Sequence, residues 1–215
     1  MSADNPTAAI LIIGNEILSG RTQDINVQFI ARRLAALGIR LEEVRVIPDV
    51  AARIIGAVNE LRAAYTAVFT TGGIGPTHDD ITSECIAAAF GVPWEHHPET
   101  FQMMAERMGE QFNAARQRMA TMPRGAVPIP NAVSMAPGFS MGNVHVMAGV
   151  PRIMQSMFEA LEPSLPRGVP IAMRAVHGLG LLEGAIAAGL SEIQQRYPQL
   201  DLGSYPFRRD DKSGV

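Results

Sequence analysis

The chain has 215 residues, of which 47% are hydrophobic and 18% charged, a balance typical of one globular domain with a small appendage. Its formal net charge of −3 gives no reason to expect a nucleic-acid partner. The single cysteine, Cys85, excludes an intrachain disulfide, and no apolar run approaches the ~18 residues of a membrane span. We therefore expect a cytoplasmic protein with no membrane partner.

The first half of the chain alternates predicted strands with predicted helices. Strands are predicted over residues 8–13, 39–47 and 67–70, where apolar residues run continuously or alternate. Helices are predicted over residues 27–37, 50–63 and 80–89, with glycine stops at Gly38 and Gly91. This alternation is typical of βαβ units. It predicts an α/β fold, a three-layer sandwich whose mostly parallel sheet carries helices on both faces.

The second half is predicted to complete this domain and to add an appendage. Apolar residues spaced from Phe101 to Met119 predict one long helix, whose methionine-rich face is core or a subunit contact. The proline-rich stretch 123–137 indicates irregular or edge structure, followed by a strand over 144–148 and a helix from Pro151. We place the ligand-binding domain at residues 1–165. Residues 166–215 are predicted to form a small βαβ unit, with strands over 171–176 and 200–207, that is incomplete at its C-terminus.

Three polar segments leave the carboxyl ends of predicted strands, which is the edge where open parallel sheets bind ligands. Gly14-Asn15-Glu16 follows the first strand and Pro48-Asp49 follows the second. The third segment, residues 70–80, is called the glycine loop below. Asn26, on the first turn of a helix, is expected to face the same edge, so all four should gather there.

The composition of the glycine loop is that of an anion site or of a tight strand-to-helix turn. Glycine tolerates positive φ and lets the backbone approach a ligand, and free N–H groups at a helix N-terminus favour an anion. Neither a P-loop lysine nor a Gly-x-Gly-x-x-Gly pattern is present. The residues expected to contact a phosphate-bearing ligand such as a nucleotide are Thr71, Gly72, Gly73, Gly75, Pro76 and Thr77.

Asp79 and Asp80 add a cation to this expectation. Adjacent carboxylates beside an anion are costly unless a cation joins them, and carboxylates with a diphosphate are the usual setting for Mg²⁺. Asp49 supplies a third acid on the same edge. The alternatives are structural: Asp80 as the cap of the following helix, and Asp49 as an ordinary N-cap.

Together these segments resemble the molybdenum-cofactor biosynthesis domain, a molybdopterin-binding family. The shared marks, which span residues 8–161, are Gly14-Asn15-Glu16, Ser19-Gly20 with Asp24-Ile25-Asn26, Pro48-Asp49 and residues 71–82. Ala136-Pro137-Gly138-Phe139, residues 148–151 and residues 203–207 are similar to the CinA-type branch, the N-terminal domain of the competence/damage-inducible protein and its stand-alone relatives.

The resemblance implies a ligand cleft over the glycine loop, homo-oligomers and chemistry at a pyrophosphate. In the CinA-type branch, Asp49 and Asp80 would hold a divalent metal (Mg²⁺, with Mn²⁺ or Co²⁺ as alternatives) for hydrolysis of ADP-ribose-like dinucleotides. Asp79 would assist as a third catalytic acid. In the cofactor-making branches the same aspartates would serve adenylylation of molybdopterin. The implied ligand-binding residues outside the loop are Gly14, Asn15, Glu16 and Asn26.

A non-catalytic ligand-binding protein is the third hypothesis. It is favoured by two departures from the family pattern, because Asn15 replaces the commoner aspartate and Ile74 stands where many members have threonine.

Overall fold

The computed structural model describes residues 5–170, 172–209 and 212–215. It divides into two units, Met1–Ile171 and Ala172–Val215. In chain order, the strands and helices of the first unit are β1 (Thr7–Ile13), α1 (Asn15–Leu18), α2 (Asn26–Leu37), β2 (Arg40–Ile47), α3 (Ala51–Ala64), β3 (Ala67–Thr71), α4 (Thr82–Phe90), β4 (Trp94–His96), α5 (Pro98–Met108), α6 (Ala114–Gln117), β5 (Thr121–Pro123), β6 (Val127–Ile129), β7 (Gly138–Met141), β8 (Val144–Met147) and α7 (Pro151–Leu161).

A six-stranded sheet forms the middle of the first unit, with the strand order β2-β1-β3-β8-β7-β6. The pairs β1–β2, β1–β3 and β3–β8 are parallel, whereas β7 and β6 add antiparallel edge strands. The remaining pair, β4 with β5, forms a separate antiparallel ribbon. The mostly parallel sheet predicted from the sequence is therefore confirmed.

Helices cover both faces of this sheet, which confirms the three-layer sandwich. Strand β1 is buried on both sides, since Ala9 and Leu11 belong to one core and Ala8 and Ile10 to the other. Helices α3 and α4 pack on the first core and helices α2 and α7 on the second. Each fully buried aliphatic or aromatic side chain contributes roughly 1.5–3 kcal/mol to folding. The largest such side chains include Phe69, Phe158, Ile10, Leu11, Ile30, Leu34, Ile54 and Leu61.

Glycines end helices α2 and α4 as the sequence predicts. Gly38 has φ 73° and its N–H donates to the carbonyl of Ala35, while Gly91 has φ 65° and donates to Ala88. This left-handed C-terminal conformation has no steric cost for glycine. The helix after the glycine loop begins at Thr82 and not at the predicted residue 80.

The single long helix predicted from Phe101 to Met119 is wrong. Helix α5 ends at Met108, because Gly109 takes φ 52° and ψ −130°, which is not helical. A 3₁₀ turn, Gly109–Gln111, follows, and Asn113 then starts α6 by accepting the N–H of Arg116 at 3.1 Å. The apolar spacing has a common cause, since these short helices bury the same satellite core. Its members are Met104, Phe112 and Ala120, with Phe101, Met103, Ala105, Met108, Met119 and Ala136 packed against them.

The second unit contains helix α8 (Glu183–Arg196) and strands β9 (Phe207–Arg209) and β10 (Lys212–Gly214), which pair antiparallel. This differs from the predicted βαβ unit. Within the described residues, 172–176 and 200–206 form no strand, and Ile171 lies outside the described residues. Strands β9 and β10 instead pair with each other, and Leu179, which precedes α8, bridges to Gly214.

The division after residue 171 falls later in the chain than the predicted boundary after Leu165. Leu165 is buried in the core of the first unit, and the N–H of Gly168 donates to the carbonyl of Leu37 at 2.9 Å. These contacts hold residues 165–168 to the first unit. No helix in the described part of the chain has the length and apolarity needed to cross a bilayer.

His145 is a partly buried ionisable group on an inner strand of the sheet. It lies on β8, its ring centroid is 5.2 Å from that of Phe69, and its Nδ1 is 2.9 Å from the hydroxyl of Ser140. Burial lowers the pKa of His145 to about 4. The imidazole is consequently neutral in the folded protein at pH 7, and protonating it requires a charge in an apolar core.

We expect His145 to make the fold acid-sensitive between pH 6.5 and 4. Unfolded histidine binds a proton below about pH 6.5, whereas the folded protein does not until about pH 4, so stability falls as the pH decreases through this window. The full effect is roughly 3 kcal/mol in the free energy of unfolding. Urea titrations across this range should show a shallower pH dependence for His145→Gln than for wild type. The control His78→Gln replaces an exposed histidine and should keep the wild-type slope; parallel slopes for His145→Gln and wild type would contradict the prediction.

Candidate functional site at the carboxyl edge of the sheet

The loops that follow β1, β2, β3 and β8 meet at the carboxyl edge of the sheet. The N–H of Gly14 donates to the carbonyl of Ile47 at 3.1 Å, and the N–H of Gly72 donates to that of Met147 at 3.1 Å. The N–H of Asn15 donates to Oδ2 of Asp49 at 2.9 Å. The sequence prediction that Gly14-Asn15, Asp49 and the glycine loop gather at one edge is therefore confirmed.

Gly72 and Gly73 are required by close packing within the chain. Gly72 has φ 101°, and a Cβ there would lie 2.1 Å from the carbonyl oxygen of Ile13. Gly73 has φ 68°, and a Cβ there would lie 2.1 Å from Oγ1 of Thr82. The loop thus packs against the end of β1 on one side and the start of α4 on the other. Thr71 is 1% exposed, so its side chain belongs to the sheet and does not face a ligand.

The backbone of the glycine loop offers three N–H groups to a ligand. Within the described part of the chain, the N–H groups of Gly73, Ile74 and Gly75 make no hydrogen bond, whereas that of Gly72 is taken by Met147. The isoleucine at position 74, where many family members have threonine, has a structural role, because its side chain packs against both core clusters. It anchors the loop while its N–H stays available. Successive unpaired N–H groups in a loop are suited to an anion.

Asp79 and Asp80 are brought together by Thr77. The N–H of Thr77 donates to Oδ2 of Asp80 at 2.8 Å, and its hydroxyl oxygen is 2.5 Å from Oδ1 of Asp79 and 2.6 Å from Oδ2 of Asp80. Both carboxylates therefore lie within hydrogen-bonding distance of the same hydroxyl, which has one proton to donate. The hydrogen bond from Thr77, together with the N–H of Asp79 itself and the nearby His78, lowers the pKa of the Asp79 carboxyl. Asp79 is therefore an anion at neutral pH.

Neither Asp80 nor Asp49 caps a helix, which answers the structural alternatives raised by the sequence. Helix α4 has Ile81 at its N-cap and helix α3 has Val50, and neither receives a side-chain cap. Asp80 is turned to Thr77 and Asp49 to Asn15. Gly75 leaves the space for this, because a Cβ there would lie 2.6 Å from Oδ2 of Asp80.

The acidic pair of the glycine loop could hold the implied divalent metal together with phosphate oxygens and water. It could not surround the metal with protein ligands alone. Across residues 5–170, 172–209 and 212–215, no group of three or more His, Cys, Asp or Glu side chains is placed to hold a metal ion. Asp79 and Asp80 offer two neighbouring carboxylates. Mg²⁺ in nucleotide sites takes one or two protein carboxylates and completes its shell with phosphate oxygens and water. No contact joins Asp49 to this pair.

Asn26 ties helix α2 to the loop after β8. Its amide is 4% exposed and donates to the carbonyl of Gly149 at 2.8 Å. A Cβ on Gly149 would lie 3.4 Å from Cα of Gly72, so this loop lies directly against the glycine loop. Asp24, just before the N-cap Ile25, accepts the N–H of Val27 in the first turn of this helix. Asn26 thus lies at the predicted edge, but it is buried and connects helix α2 to the loop after β8.

Glu16, Pro76 and Thr77 are the remaining predicted ligand contacts. All three are partly or fully exposed, and Glu16 folds back over Gly14, where a Cβ would lie 2.6 Å from its carboxylate oxygens. Arg21 donates to the hydroxyl of Ser19 beside this segment.

The structure adds two neighbours of the site that the sequence interpretation missed. Residues 130–137 precede β7, and a Cβ on Gly138 would lie 2.3 Å from the carbonyl oxygen of Val146 on β8, so this loop lies at the same edge. Asn131 organises it by accepting the N–H groups of Val133 and Ser134 and donating to the carbonyl of Ala136. The second neighbour is Arg118, which donates to the carbonyl of Asp80 at 3.2 Å. The loop could have been predicted from Asn131 ahead of the turn-forming Ala136-Pro137-Gly138. The sequence around Arg118 contains no comparable signal.

A groove of about 240 Å³ lies elsewhere, along the β4–β5 ribbon, and includes His96, His97 and Arg124. His96 is 2.9 Å from the hydroxyl of Thr121 through Nδ1, and His97 accepts the N–H of Thr100 as the cap of α5. Arg124 is paired with Glu95. These side chains have structural partners, so the chemistry-bearing site remains the carboxyl edge.

Fold and site together define a class: a three-layer α/β domain that presents a glycine loop with free N–H groups and paired carboxylates at the carboxyl edge. Comparison with known families is specific. The family described as a probable molybdopterin binding domain matches residues 9–167. The chain therefore belongs to the molybdopterin-binding domain family, in its CinA-like branch.

Individual relatives support this assignment. A protein of Pyrobaculum calidifontis is 37% identical over 212 residues, covering 94% of this chain and 81% of that protein. A CinA-like protein of Desulfovibrio desulfuricans is 34% identical over 197 residues, covering 87% of this chain but 46% of that longer protein. The chain thus spans less than half of that relative.

Solved structures agree with the fold. The CinA protein of Thermoplasma acidophilum superposes with a TM-score of 0.70 at 30% identity, covering 75% of this chain and 99% of that chain. The molybdopterin biosynthesis enzyme MoaB of Thermus thermophilus gives a TM-score of 0.50 at 19% identity, covering 75% and 92%. At this lower identity the likeness to MoaB concerns the fold alone.

We expect Gly72→Ala to destabilise the protein by at least about 2 kcal/mol, because alanine meets both the positive φ and the Ile13 carbonyl. The matched control is Gly56→Ala in helix α3, where a Cβ meets nothing within 4 Å. That change should be neutral or stabilise the protein by about 0.5–1 kcal/mol. Urea unfolding monitored by circular dichroism measures both; equal stabilities of the two variants would contradict the packing argument.

Proposed function

We propose that this chain is a divalent-metal-dependent pyrophosphatase that hydrolyses ADP-ribose-like dinucleotides. One observation carries the proposal: the glycine loop combines the free N–H groups of Gly73, Ile74 and Gly75 with the carboxylate pair of Asp79 and Asp80. N–H groups suit a diphosphate, and paired carboxylates suit the cation that accompanies it. The match to a probable molybdopterin binding domain supports a phosphate-bearing ligand.

The residues of the loop would act by binding and charge stabilisation. The three N–H groups hold the diphosphate oxygens, and Asp80 with Asp79 holds the cation. Asp49 would complete the cation's shell if substrate drew the β2 loop closer. A bound divalent metal supplies Lewis-acid polarisation of the phosphoryl oxygens. Water attacks one phosphorus and the bridging P–O bond breaks, giving AMP and ribose 5-phosphate from ADP-ribose, with the released protons passing to solvent.

Asp79 would orient the attacking water and would be a weak base. The hydrogen bond from Thr77 that lowers the pKa of Asp79 also reduces its affinity for a proton. Its contribution would therefore be electrostatic, which agrees with a hydrolysis driven by the cation and the N–H groups.

We expect Asp80→Asn to reduce AMP release from ADP-ribose roughly 100-fold or more, because it removes a negative ligand of the cation. The assay incubates the protein with ADP-ribose, FAD or ATP and Mg²⁺, Mn²⁺ or Co²⁺, and measures AMP. Glu106→Gln, which removes a surface carboxylate of α5 held only by Gln102, is the control and should keep wild-type turnover. Absence of AMP with every metal, or unchanged turnover in Asp80→Asn, would sink the proposal.

A second candidate function is molybdopterin binding or adenylylation, favoured by the family match over residues 9–167. The same loop would then hold the pterin phosphate. Formation of adenylylated molybdopterin from ATP and Mg²⁺, with ADP-ribose left intact, would replace the first proposal by this one. Tight ligand binding without turnover would identify a non-catalytic binding protein. Homo-oligomerisation stays a prediction, which light scattering would test.

A further inference from the structure

Arg118 links the glycine loop to the ribbon formed by β4 and β5. It begins the 3₁₀ turn Arg118–Ala120 that follows α6. Its Nη2 donates to the main-chain carbonyl of Asp80 at 3.2 Å, and its Cζ lies 5.0 Å from the ring centroid of Trp94. One guanidinium therefore contacts an aromatic face and the peptide that carries the acidic pair of the loop.

Trp94 gives this guanidinium a fixed platform. The indole Nε1 donates to the hydroxyl of Ser83 at 2.9 Å and to the carbonyl of Thr121 at 3.1 Å. The Ser83 hydroxyl in turn donates to the same carbonyl at 2.9 Å. Because Ser83 lies on the first turn of α4, the platform is joined to the helix that the glycine loop enters. Arg118 thus bridges two rigid elements across the Asp80 peptide.

The charge of Arg118 has no partner that a purely structural arginine would be expected to have. Across residues 5–170, no carboxylate lies within ion-pairing distance of its guanidinium. Its Nε is buried and has no hydrogen-bond partner among the described residues. A partly buried, unpaired guanidinium is costly. Its one polar contact is with the loop, close to Asp79 and Asp80.

We propose that Arg118 is a positioning residue of the glycine loop. By fixing the carbonyl of Asp80 it sets the direction of the Asp80–Ile81 peptide, and with it the carboxylate that Thr77 holds. The free N–H groups of Gly73 to Gly75 keep their orientation because both ends of the loop are then fixed, one by Met147 and the other by Arg118. Its effect on ligand affinity rests on the proposed function; its effect on the loop does not.

The test compares Arg118→Met and Arg118→Lys with the matched control Arg116→Met. The side chain of Arg116, two residues earlier, hydrogen-bonds to Gln111 and to no residue of the glycine loop. Amide hydrogen exchange of the ligand-free proteins should be at least about fivefold faster over residues 75–82 in Arg118→Met, and unchanged in the control. Calorimetric affinity for ADP-ribose with Mn²⁺ should fall about tenfold in Arg118→Met, as loss of a charged hydrogen bond predicts. Arg118→Lys should recover part of both effects.

Each outcome decides the proposal. Unchanged exchange over residues 75–82 overturns it, and so does faster exchange with unchanged affinity, which would make Arg118 a structural tether alone. If wild type binds no ADP-ribose, the proposed function has failed. The exchange data then decide Arg118, with acceleration confined to residues 75–82 supporting it and acceleration throughout the chain overturning it. If Arg118→Met does not fold, Arg118→Lys against Arg116→Met carries the same comparison.

Discussion

The close approach of Gly72 to the end of β1 is the constraint on which the site depends. A Cβ on Gly72 would lie 2.1 Å from the carbonyl oxygen of Ile13 on β1, and the N–H of Gly72 donates to the carbonyl of Met147 on the other neighbouring strand, β8. Three strand ends are thereby held in contact through backbone atoms alone. The next three N–H groups, of Gly73, Ile74 and Gly75, have no acceptor among the described residues. A side chain at residue 72 would separate the strands and displace the loop that carries the free N–H groups.

The three aspartates in or beside the glycine loop each accept hydrogen bonds from neighbouring residues. The hydroxyl of Thr77 contacts the carboxylates of Asp79 and Asp80, and the N–H of Thr77 donates to Asp80. The main-chain N–H of Asn15 donates to the carboxylate of Asp49. Asparagine at position 15 therefore keeps the backbone contact to Asp49 that an aspartate would also make. It adds no further negative charge to the edge. The departures of Asn15 and Ile74 from the family pattern preserve the geometry of the site.

Most of the fold was predictable because its signals are local and repeated. Apolar runs marked β1, β2, β3 and β8, and glycine stops marked the ends of α2 and α4, since both depend on burial and φ alone. The long-helix prediction failed because apolar spacing survives a break at Gly109 when successive short helices cover one core. The βαβ prediction failed because the partner of a short strand is not encoded in its own pattern.

The site was predictable to the level of segments and less so for individual residues. Strand ends placed Gly14, Asp49 and the glycine loop on one edge, as observed. The sequence could not separate Gly72, whose N–H is used internally, from Gly73 and Gly75, because that depends on the register of β3 with β8. The burial of Asn26 and Thr71 likewise depends on tertiary packing, which the sequence pattern does not encode. Arg118 joins the loop from a distant segment, a contact set by tertiary packing alone.

The platform beneath Arg118 has an optical consequence. Trp94 is the chain's single tryptophan, and its indole is bonded to the first turn of α4 and stacked under the cation that contacts the glycine loop. Indole emission responds to nearby charge and to the loss of a hydrogen bond. The protein thus has one tryptophan, which contacts through Arg118 the loop that would receive a diphosphate. Occupancy of the site becomes readable in unlabelled protein.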